Sequence, residues 1–373
     1  MKRILIVLMM VVLAFCLAGC GESNDEPKTA ELAMIADCDK IEDGSFTQAT
    51  WESVESFAKD NALTAKCYKT EDVVDPEEAA KAAKEGKEVK GPLTKEESYM
   101  KAIDKAVKNK AKLVIMAGSN FETTVYSAQT AYPDIKFLLI DGVPHDAALN
   151  FATAANTIGV IFAEEEAGYL AGYAVVKEGY NKIGFMGGQE IPAVKRYGYG
   201  FVQGAAAAAA EMEKKVEMSY VYTGTFDPSK DIRKMAADKF KDGTQVIFAC
   251  GGAMGTSVME AAENNGGLVV GVDVDQSYLS SSVLTSAKKE INVVINEMLE
   301  NYVDDKFVGG IAFNYAAKNG GVSLEMDNAS FVKFKDDDYK KVFRQLKNGK
   351  IQLKKDTGVG AVTELTGEWV TIK

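Results

Sequence analysis

Residues capable of acid–base, nucleophilic or metal chemistry are sparse in this sequence. Its 373 residues include one histidine, His145, which lies between Pro144 and Asp146 in a loop-like stretch. Serine triads, histidine-based zinc sites and most proton shuttles depend on histidine. The sequence also lacks a glycine-rich phosphate loop, a CxxC pair and an HExxH motif. These observations argue against an enzyme and predict no metal or other cofactor, and we expect His145 to occupy a surface or hinge position.

Carboxylates and aromatic rings follow several short apolar runs. Asp37 and Asp273 each come at the end of such a run. Phe46 and Phe226 lie in turns rich in glycine, serine and threonine, which also come after apolar runs. Turns of this kind favour exposure of the two rings in a cleft over burial in separate cores. Aromatic faces with a few charged groups beside them suit a small polar ligand.

The elements that must position these residues are short strands alternating with amphipathic helices. The predicted strands are Leu32–Ala36, Ala62–Tyr68, Leu113–Ala117, Lys136–Ile140, Thr157–Phe162, Lys182–Met186, Val216–Tyr222, Gln245–Ala249 and Leu268–Val272. The predicted helices are Gln48–Lys59, Lys95–Asn109, Phe121–Ala131, Ala163–Lys177, Val194–Lys214, Lys230–Lys241, Thr256–Asn264 and Ser286–Tyr302. Such alternation predicts an α/β protein with parallel sheets covered on both faces.

The glycine-rich run Gly198–Gly204 resembles a dinucleotide fingerprint, with one residue too many before its last glycine. It lies inside a helical pattern and not at a strand-to-helix turn, so the required context is missing. We expect these glycines to permit close packing of helices.

The amino-terminal residues have the pattern of an export signal. Two basic residues precede an apolar run, Ile4–Leu17, which is shorter than the roughly 20 residues of a membrane-spanning helix. Residues 1–19 are therefore interpreted as a signal peptide. Two small residues before Cys20 resemble the lipobox of bacterial lipoproteins, which implies lipidation of Cys20. Residues 20–29 would form a polar tether, and a plain secreted protein with an incidental Cys20 is the alternative.

The charge balance excludes polyanions as partners. Removing residues 1–19 takes away Lys2 and Arg3 and no acid, so the net charge changes from −11 to −13. An acidic surface of this size repels nucleic acid and anionic lipid head groups. We therefore expect no nucleic-acid partner.

The mature length predicts two lobes, because roughly 350 residues exceed what one core usually organises. The segment 70–94 is interpreted as a charged surface insertion. The expected divisions are a first lobe at 30–180, a second at 181–285, a helix returning to the first lobe at 286–310, and a strand and tail completing the second lobe at 311–373. Ligands of open α/β sheets bind beyond the carboxyl ends of the strands, so two facing lobes would share one cleft, closed by a hinge.

Motifs in the loops after the predicted strands resemble one family. They are Asp43–Gln48, Gly184–Gly188, Arg196–Phe201, Gly224–Asp227, Cys250–Gly252, Gly271–Gln276 and Leu284–Lys289. From about residue 31 to 320 the chain is similar to the basic membrane protein family of substrate-binding lipoproteins, which resemble the purine-nucleoside receptors of ABC transporters. The resemblance implies a two-lobed type I periplasmic-binding-protein fold with the ligand in the interlobe cleft. It also implies a lipid-anchored monomer on the extracytoplasmic face of the cell membrane, which passes a purine nucleoside to an ABC transporter permease.

The resemblance implies roles in base recognition for four residues. Phe46 and Phe226 would sandwich the purine, one from each lobe. Asp37 and Glu122 would accept hydrogen bonds from the N–H groups of a base such as guanine or hypoxanthine, a charge-assisted and therefore strong contact. Glu122 is also at home in the first turn of a helix, where the helix dipole favours an acid.

The resemblance implies that a second group holds the ribose. Asp273 would accept from two adjacent hydroxyls, and Lys289 would donate to one of them. Lys288 is an alternative to Lys289. Gly251 and Gly252 would let backbone amides approach the ligand closely.

One departure from the family concerns base recognition. The family commonly has asparagine where this chain has Thr47, and a hydroxyl cannot replace an amide in full. Gln48 is a candidate to reach the ligand instead. The alternatives to a nucleoside receptor are a binding protein or sensor of the same fold for a sugar or signalling molecule and, less favoured, a nucleoside hydrolase.

Overall fold

Two β-sheets, each covered by helices, form the part of the chain that the structure describes. The structure is a computed structural model that describes residues 31–37, 41–85, 87–89 and 91–373. The predicted signal peptide, Cys20 and the tether lie outside these residues. The α/β prediction is confirmed, and most predicted strands agree with the structure to within one residue.

The first sheet has six parallel strands in the order β11-β5-β4-β3-β1-β2. The strands are β1 (Leu32–Ala36), β2 (Ala65–Lys69), β3 (Leu113–Ala117), β4 (Lys136–Ile140), β5 (Thr157–Phe162) and β11 (Ile311–Tyr315). Every residue of β1 is buried. Apolar runs without polar alternation form central parallel strands because helices cover both faces of the sheet.

The second sheet has seven strands in the order β12-β10-β9-β8-β6-β7-β13, parallel except for β12. The strands are β6 (Lys182–Gly187), β7 (Val216–Tyr222), β8 (Val246–Cys250), β9 (Leu268–Asp273), β10 (Val283–Lys289), β12 (Val322–Leu324) and β13 (Val370–Ile372). The two sheets with their helices are called the first and second lobe.

The helices alternate with the strands, as predicted. They are α1 (Phe46–Asp60), α2 (Pro76–Lys84), α3 (Lys95–Lys108), α4 (Glu122–Ala131), α5 (Glu164–Glu178), α6 (Pro192–Met212), α7 (Lys230–Lys241), α8 (Gly255–Asn265), α9 (Ile291–Val303) and α10 (Asp336–Lys347). The charged segment 70–94 leaves the end of β2, carries α2 on the surface and returns to α3.

The chain crosses between the lobes three times. The crossings follow β5, β10 and β11, and backbone hydrogen bonds join them: Ala163 N–H donates to the Tyr315 carbonyl at 2.8 Å, and Glu290 N–H donates to the Gly321 carbonyl at 2.9 Å. Three adjacent connections of this kind form a hinge that lets the lobes rotate against each other.

Three predicted boundaries are corrected by the structure. The first lobe was expected to run to residue 180, but α5 packs against α6, β10 and β12 of the second lobe. The predicted helix at Ser286–Tyr302 begins only at Ile291, because residues 283–289 form a buried strand of the second sheet. Segment 311–373 was expected to complete the second lobe, and its strands β12 and β13 do join the second sheet, but β11 at its start pairs with β5 in the first. Helix α9 does return to the first lobe, where it packs against α1.

Helices α5 and α6 touch backbone to backbone through glycines. A Cβ atom on Gly204 would lie 2.0 Å from the carbonyl oxygen of Tyr169, and one on Gly168 would lie 2.1 Å from that of Tyr197. Gly200 lies in the run that resembles a dinucleotide fingerprint, and a Cβ there would meet the Glu165 carbonyl at 2.0 Å. The prediction that these glycines permit close helix packing is confirmed.

The carboxyl-terminal tail ends as a strand of the second sheet. β13 runs parallel to β7, with Val370 paired to Val216. Trp369, just before it, stacks under the ammonium group of Lys215, whose Nζ lies 4.6 Å from the ring centroid. β13 therefore covers the hydrogen-bonding edge of β7 along Val216–Met218.

Candidate functional site

Loops from both lobes meet beyond the carboxyl ends of their strands. The Ser45 hydroxyl in the first lobe donates to Asp273 Oδ2 in the second at 3.1 Å. Gln276 Nε2 in the second lobe donates to the Gly44 carbonyl in the first at 3.0 Å. The structure therefore shows the lobes closed on each other, with the loop before α1 against the loop after β9.

Asp43 organises the turn that presents Phe46. Its carboxylate accepts from the backbone N–H groups of Ser45, Thr47 and Gln48 at 2.9, 3.2 and 3.1 Å. These are amides that the start of a helix would otherwise leave without partners. The turn fixes Phe46 as the first residue of α1, at the cleft.

Gln48 uses its side-chain amide within the first lobe. Its Oε1 accepts from Gly44 N–H at 2.9 Å, and its Nε2 donates to Glu52 at 2.8 Å. Thr47 is half-buried beside it. Ligand contacts by Thr47 and Gln48 stay predictions, and Gln48 would have to exchange a local contact for one with a ligand.

A buried lysine is the centre of the closed site. Lys289 ends β10 and is 4% exposed. Its Nζ lies 2.8 Å from Asp141 Oδ2, 3.1 Å from Glu164 Oε1 and 3.7 Å from Asp273 Oδ1. The same atom lies 4.9 Å from the ring centroid of Phe46, a cation–π contact. Both lobes thus contribute groups around one ammonium.

Two residues of α6 extend this cluster. Arg196 Nε lies 2.5 Å from Glu164 Oε2, and its Nη1 lies 3.6 Å from Asp356. The hydroxyl of Tyr197 donates to Asp273 Oδ1 at 3.2 Å. With Ser45 on the other oxygen, Asp273 is held in place by both lobes.

Opposing effects set the protonation of the cluster. Burial alone would lower the pKa of Lys289, but the carboxylates of Asp141, Glu164 and Asp273 outweigh burial and raise it, so the ammonium stays charged. Burial also acts to raise the pKa of Glu164, yet Lys289 and Arg196 lower it to about 2. For Asp273 burial dominates and raises the pKa.

Asp141 and Asp273 occupy matching places in the two lobes. Asp141 directly follows β4, Asp273 is the last residue of β9, and each has a φ of 66°. A left-handed conformation is uncommon for residues other than glycine, although aspartate tolerates it better than most, and such residues cluster at functional sites. The bend turns both carboxylates toward Lys289.

Phe226 lies in a corner of the second lobe built from glycines. A Cβ on Gly188 would lie 2.5 Å from Phe226 Cδ1, and one on Gly251 would lie 3.0 Å from Gly188 N. Gly252 has a φ of 57°, which suits glycine. Any larger residue at Gly188 would displace the ring, so these glycines set the position of Phe226.

The two acids predicted to meet the base lie in separate hydrogen-bonded groups. Asp37 accepts from the Tyr99 hydroxyl at 2.5 Å, Lys95 Nζ at 2.8 Å and Asn120 Nδ2 at 3.2 Å. Glu122 accepts from Val143 N–H at 2.8 Å, and its other oxygen lies 3.3 Å from His145 Nε2.

Burial raises the pKa of Glu122. His145 was expected at a surface or hinge position. It lies in the β4–β5 connection and not in a crossing between lobes, so the hinge alternative is wrong, and its side chain is partly buried at 13% exposure in a loop with exposed residues.

The structure places Lys289, and not Lys288, in the cluster. Lys288 points the other way, to Glu325 at 3.0 Å.

Sequence reasoning missed Asp141 and Glu164. Asp141 follows an apolar strand as Asp273 does, a signal that was available. Glu164 is the first residue of an acidic run in a helix whose pattern predicts burial. A buried carboxylate requires a cation nearby, so this run was also a signal.

Among the described residues, no group of three or more histidine, cysteine, aspartate or glutamate side chains is arranged to hold a metal ion. Within the same part of the chain, no helix has the length and apolar character needed to span a bilayer.

Comparisons with known proteins agree with this architecture. Residues 30–357 match the family model described as ABC transporter substrate-binding protein PnrA-like. A protein of Lactococcus lactis subsp. cremoris named ABC transporter nucleoside-binding protein BmpA is 29% identical over 360 residues, covering 88% of this chain and 93% of its own. Basic membrane protein A1 of Borrelia garinii subsp. bavariensis is 31% identical over 251 residues, covering 65% of this chain and 72% of its own.

A solved structure supports the fold alone. The ABC transporter solute-binding protein from Aeropyrum pernix K1 superimposes with a TM-score of 0.65 at 18% identity, covering 90% of each chain. The two-lobed periplasmic-binding-protein fold expected from the motifs is therefore confirmed. Since the family model spans most of the sequence, the chain belongs to the PnrA-like family of ABC transporter substrate-binding proteins.

Proposed function

We propose that this protein captures purine nucleosides outside the cytoplasm and delivers them to the permease of an ABC importer without a chemical step. The observation that carries the proposal is the grouping of Lys289, Asp273 and the ring of Phe46 where the lobes meet. A charged donor and a charged acceptor beside an aromatic face match a ligand with vicinal hydroxyls attached to a flat ring.

Closing of the lobes would complete the site. Phe46 comes from the first lobe and Phe226 from the second, so a purine between them would draw the lobes together. Asp273 already bonds to Ser45 across the cleft at 3.1 Å. A ribose hydroxyl in that position would replace a contact between lobes with a contact through the ligand. Gly251 and Gly252 would offer backbone amides nearby.

Base preference would depend on the acids of the first lobe. Asp37 and Glu122 are proposed to accept from the N–H groups of guanine or hypoxanthine. Glu122 is held by Val143 and His145, which leaves lone pairs of its carboxylate available. Asp37 would exchange contacts with Lys95 or Asn120 for contacts with the base.

The protein would act as a monomer anchored by lipid on Cys20. The family acts outside the cytoplasm, and the pattern at the amino terminus supplies the anchor. Stable anchoring takes two or more acyl chains, at about 0.8 kcal/mol per buried methylene. Mass spectrometry of the mature amino terminus tests this part: a diacylglycerol on Cys20 is expected, and an unmodified thiol would contradict it.

A receptor for a sugar or signalling molecule is the second candidate, because Lys289 and Asp273 would recognise hydroxyls of any small polyol. Titration calorimetry with inosine, guanosine, adenosine, uridine and ribose separates the two. Tight binding of a purine nucleoside with weak or absent binding of ribose is expected. Binding of ribose alone would favour the second candidate, and release of free hypoxanthine from inosine would reveal hydrolysis.

The substitution Phe46→Ala should weaken purine nucleoside binding at least tenfold. Stacking on an aromatic face is worth about 1–3 kcal/mol per base. Titration calorimetry measures the affinity, and the melting temperature of the ligand-free protein should remain nearly unchanged because the ring is half-buried at the cleft.

Phe57→Ala is the matched control on the same helix. Phe57 is 7% exposed and lies in the core, so its removal should cost about 3–5 kcal/mol of stability. A loss of stability for Phe46→Ala as large as that for Phe57→Ala would show that Phe46 is a core residue and contradict its role in the site.

A further inference from the structure

Asp141 and Glu164 contact the same ammonium group: Lys289 Nζ lies 2.8 Å from Asp141 Oδ2 and 3.1 Å from Glu164 Oε1. Among the described residues, Asp141 Oδ1 is buried without a hydrogen-bond partner, and Glu164 Oε1 makes the ion pair with Lys289 but no hydrogen bond. Ionised carboxylates only accept hydrogen bonds, so two of them in contact repel, whereas one proton between them makes a donor and an acceptor.

The charges of the cluster also require a proton. Four acids, Asp141, Glu164, Asp273 and Asp356, face the two cations Lys289 and Arg196, so negative charge is in excess in a largely buried site. An uncompensated buried charge is costly, and a buried acid commonly avoids the cost by binding a proton.

We propose that Asp141 and Glu164 share one proton beneath Lys289, and that closing of the lobes around a ligand takes this proton up from solution. The inference rests on the proposed binding function. Asp141 is thereby a positioning residue: the shared proton leaves the pair with one negative charge, which holds Lys289 in place and leaves its remaining N–H directed at the ligand.

The position of Asp141 makes it the acid of the Asp141–Glu164 pair that gains the proton on closure. It comes from the first lobe, while Lys289 and Asp273 come from the second, so opening of the cleft would return it to water. A hydrated aspartate has a pKa of about 3.9. In the closed site, burial first and the neighbouring Glu164 carboxylate second outweigh Lys289 and raise the pKa of Asp141 to about 7.

Groups from five elements face Asp141 in the closed site. They are Lys289 of β10, Glu164 of α5, Arg196 and Tyr197 of α6, Asp273 of β9 and Cys250 of β8. Glu122 and His145 lie on the far side of Gly142. His145 is the one histidine of the sequence and is therefore the residue replaced in the control variant.

The sign of the pH effect follows from linkage. At a pH between the open-state and closed-state pKa values of Asp141, the closed state binds a proton that the open state does not hold. Low pH within this window therefore favours closure, and closure weakens as pH rises through the higher, closed-state pKa. Ligand affinity should therefore fall about tenfold between pH 6 and pH 8.

The proposal is tested by titration calorimetry with the purine nucleoside that binds most tightly. The titration is done at pH 6 in two buffers of different ionisation enthalpy, and the difference in heat gives the number of protons taken up. The wild-type protein should take up about one proton per nucleoside bound. In Asp141→Asn the amide donates to Glu164 as the shared proton would, so uptake should disappear and the affinity should become independent of pH. His145→Gln is the control and should keep the uptake.

The proposal is overturned if the wild type binds nucleoside without uptake, if Asp141→Asn retains it, or if His145→Gln loses it. Absence of nucleoside binding at every pH would contradict the proposed function, and with it this inference. Binding without proton uptake would overturn this inference alone and leave the proposed function standing.

Discussion

Replacing Lys289 by methionine is expected to lower the free energy of unfolding at pH 7 by about 3–5 kcal/mol. The substitution keeps the length and apolar contacts of the side chain but leaves Asp141, Glu164 and Asp273 buried with Arg196 as the only remaining cation of the cluster. Protonation of these acids relieves their repulsion, so the variant should recover stability as pH falls toward 5. Urea unfolding at several pH values measures the effect.

The neighbouring substitution Lys288→Met is the matched control. Lys288 lies on the same strand, but its side chain is 24% exposed and pairs with Glu325, whose other oxygen accepts from the backbone N–H groups of Asp327 and Asn328. Its replacement leaves this hydrogen-bonded acid without a cation and should therefore destabilise the protein less than Lys289→Met, by about 1–3 kcal/mol. Equal unfolding curves for Lys289→Met and wild type would show that the cluster does not depend on its central cation.

Replacing Gly204 by alanine should destabilise the second lobe by about 3 kcal/mol or more, beyond the usual range for one added methylene. The new methyl group would lie 2.0 Å from the carbonyl oxygen of Tyr169, and backbone cannot move aside as a side-chain end can. Helices α5 and α6 would have to separate. Because Glu164 and Arg196 stand on these two helices, separation would also loosen their ion pair.

Thermal and urea unfolding of Gly204→Ala and Gly255→Ala give the comparison. Gly255 also lies in a helix, but a Cβ there would meet Ala249 at an ordinary 3.8 Å. Alanine is favoured over glycine within a helix by roughly 0.5–1 kcal/mol, so Gly255→Ala should be neutral or slightly stabilising. If Gly204→Ala behaves like Gly255→Ala, the close approach of α5 and α6 is not a constraint on the fold.

Local patterns were sufficient to predict most of the strands. β1, β3, β4 and β5 match their predicted ranges because each is a mainly apolar run, and such runs form central parallel strands. β7 also matches, although Glu217 and Ser219 interrupt its apolar residues. The residue patterns that produce these elements act over short distances. They therefore appear in the sequence without knowledge of the rest of the chain.

β10 and β11 could not be predicted in the same way. The end of β10 reads as the start of a helix because Lys288 and Lys289 look like surface residues. Lys289 is buried among three acids, and two of them, Asp141 and Glu164, come more than 120 residues earlier in the chain, where a local pattern does not reach. β11 is largely exposed, so its sequence carries no signal for one sheet over the other.

In the candidate site, too, some residues could be predicted from local patterns and others could not. Lys289 and Asp273 were predicted as partners and lie 3.7 Å apart at their charged atoms. Asp141 and Glu164 were missed because their importance comes from convergence on one ammonium in three dimensions. Roles for Asp37, Glu122, Phe46 and Phe226 in ligand binding stay predictions.

The last strand of the chain has a consequence for handling the protein. The family match ends at residue 357, whereas β13 begins at Val370. A chain shortened to the shared span would retain the site but expose the full length of β7 as a border of unpaired N–H and C=O groups. Such borders recruit strands from neighbouring molecules. By pairing with Val216–Met218, β13 removes this part of the β7 edge from contact with strands of other copies.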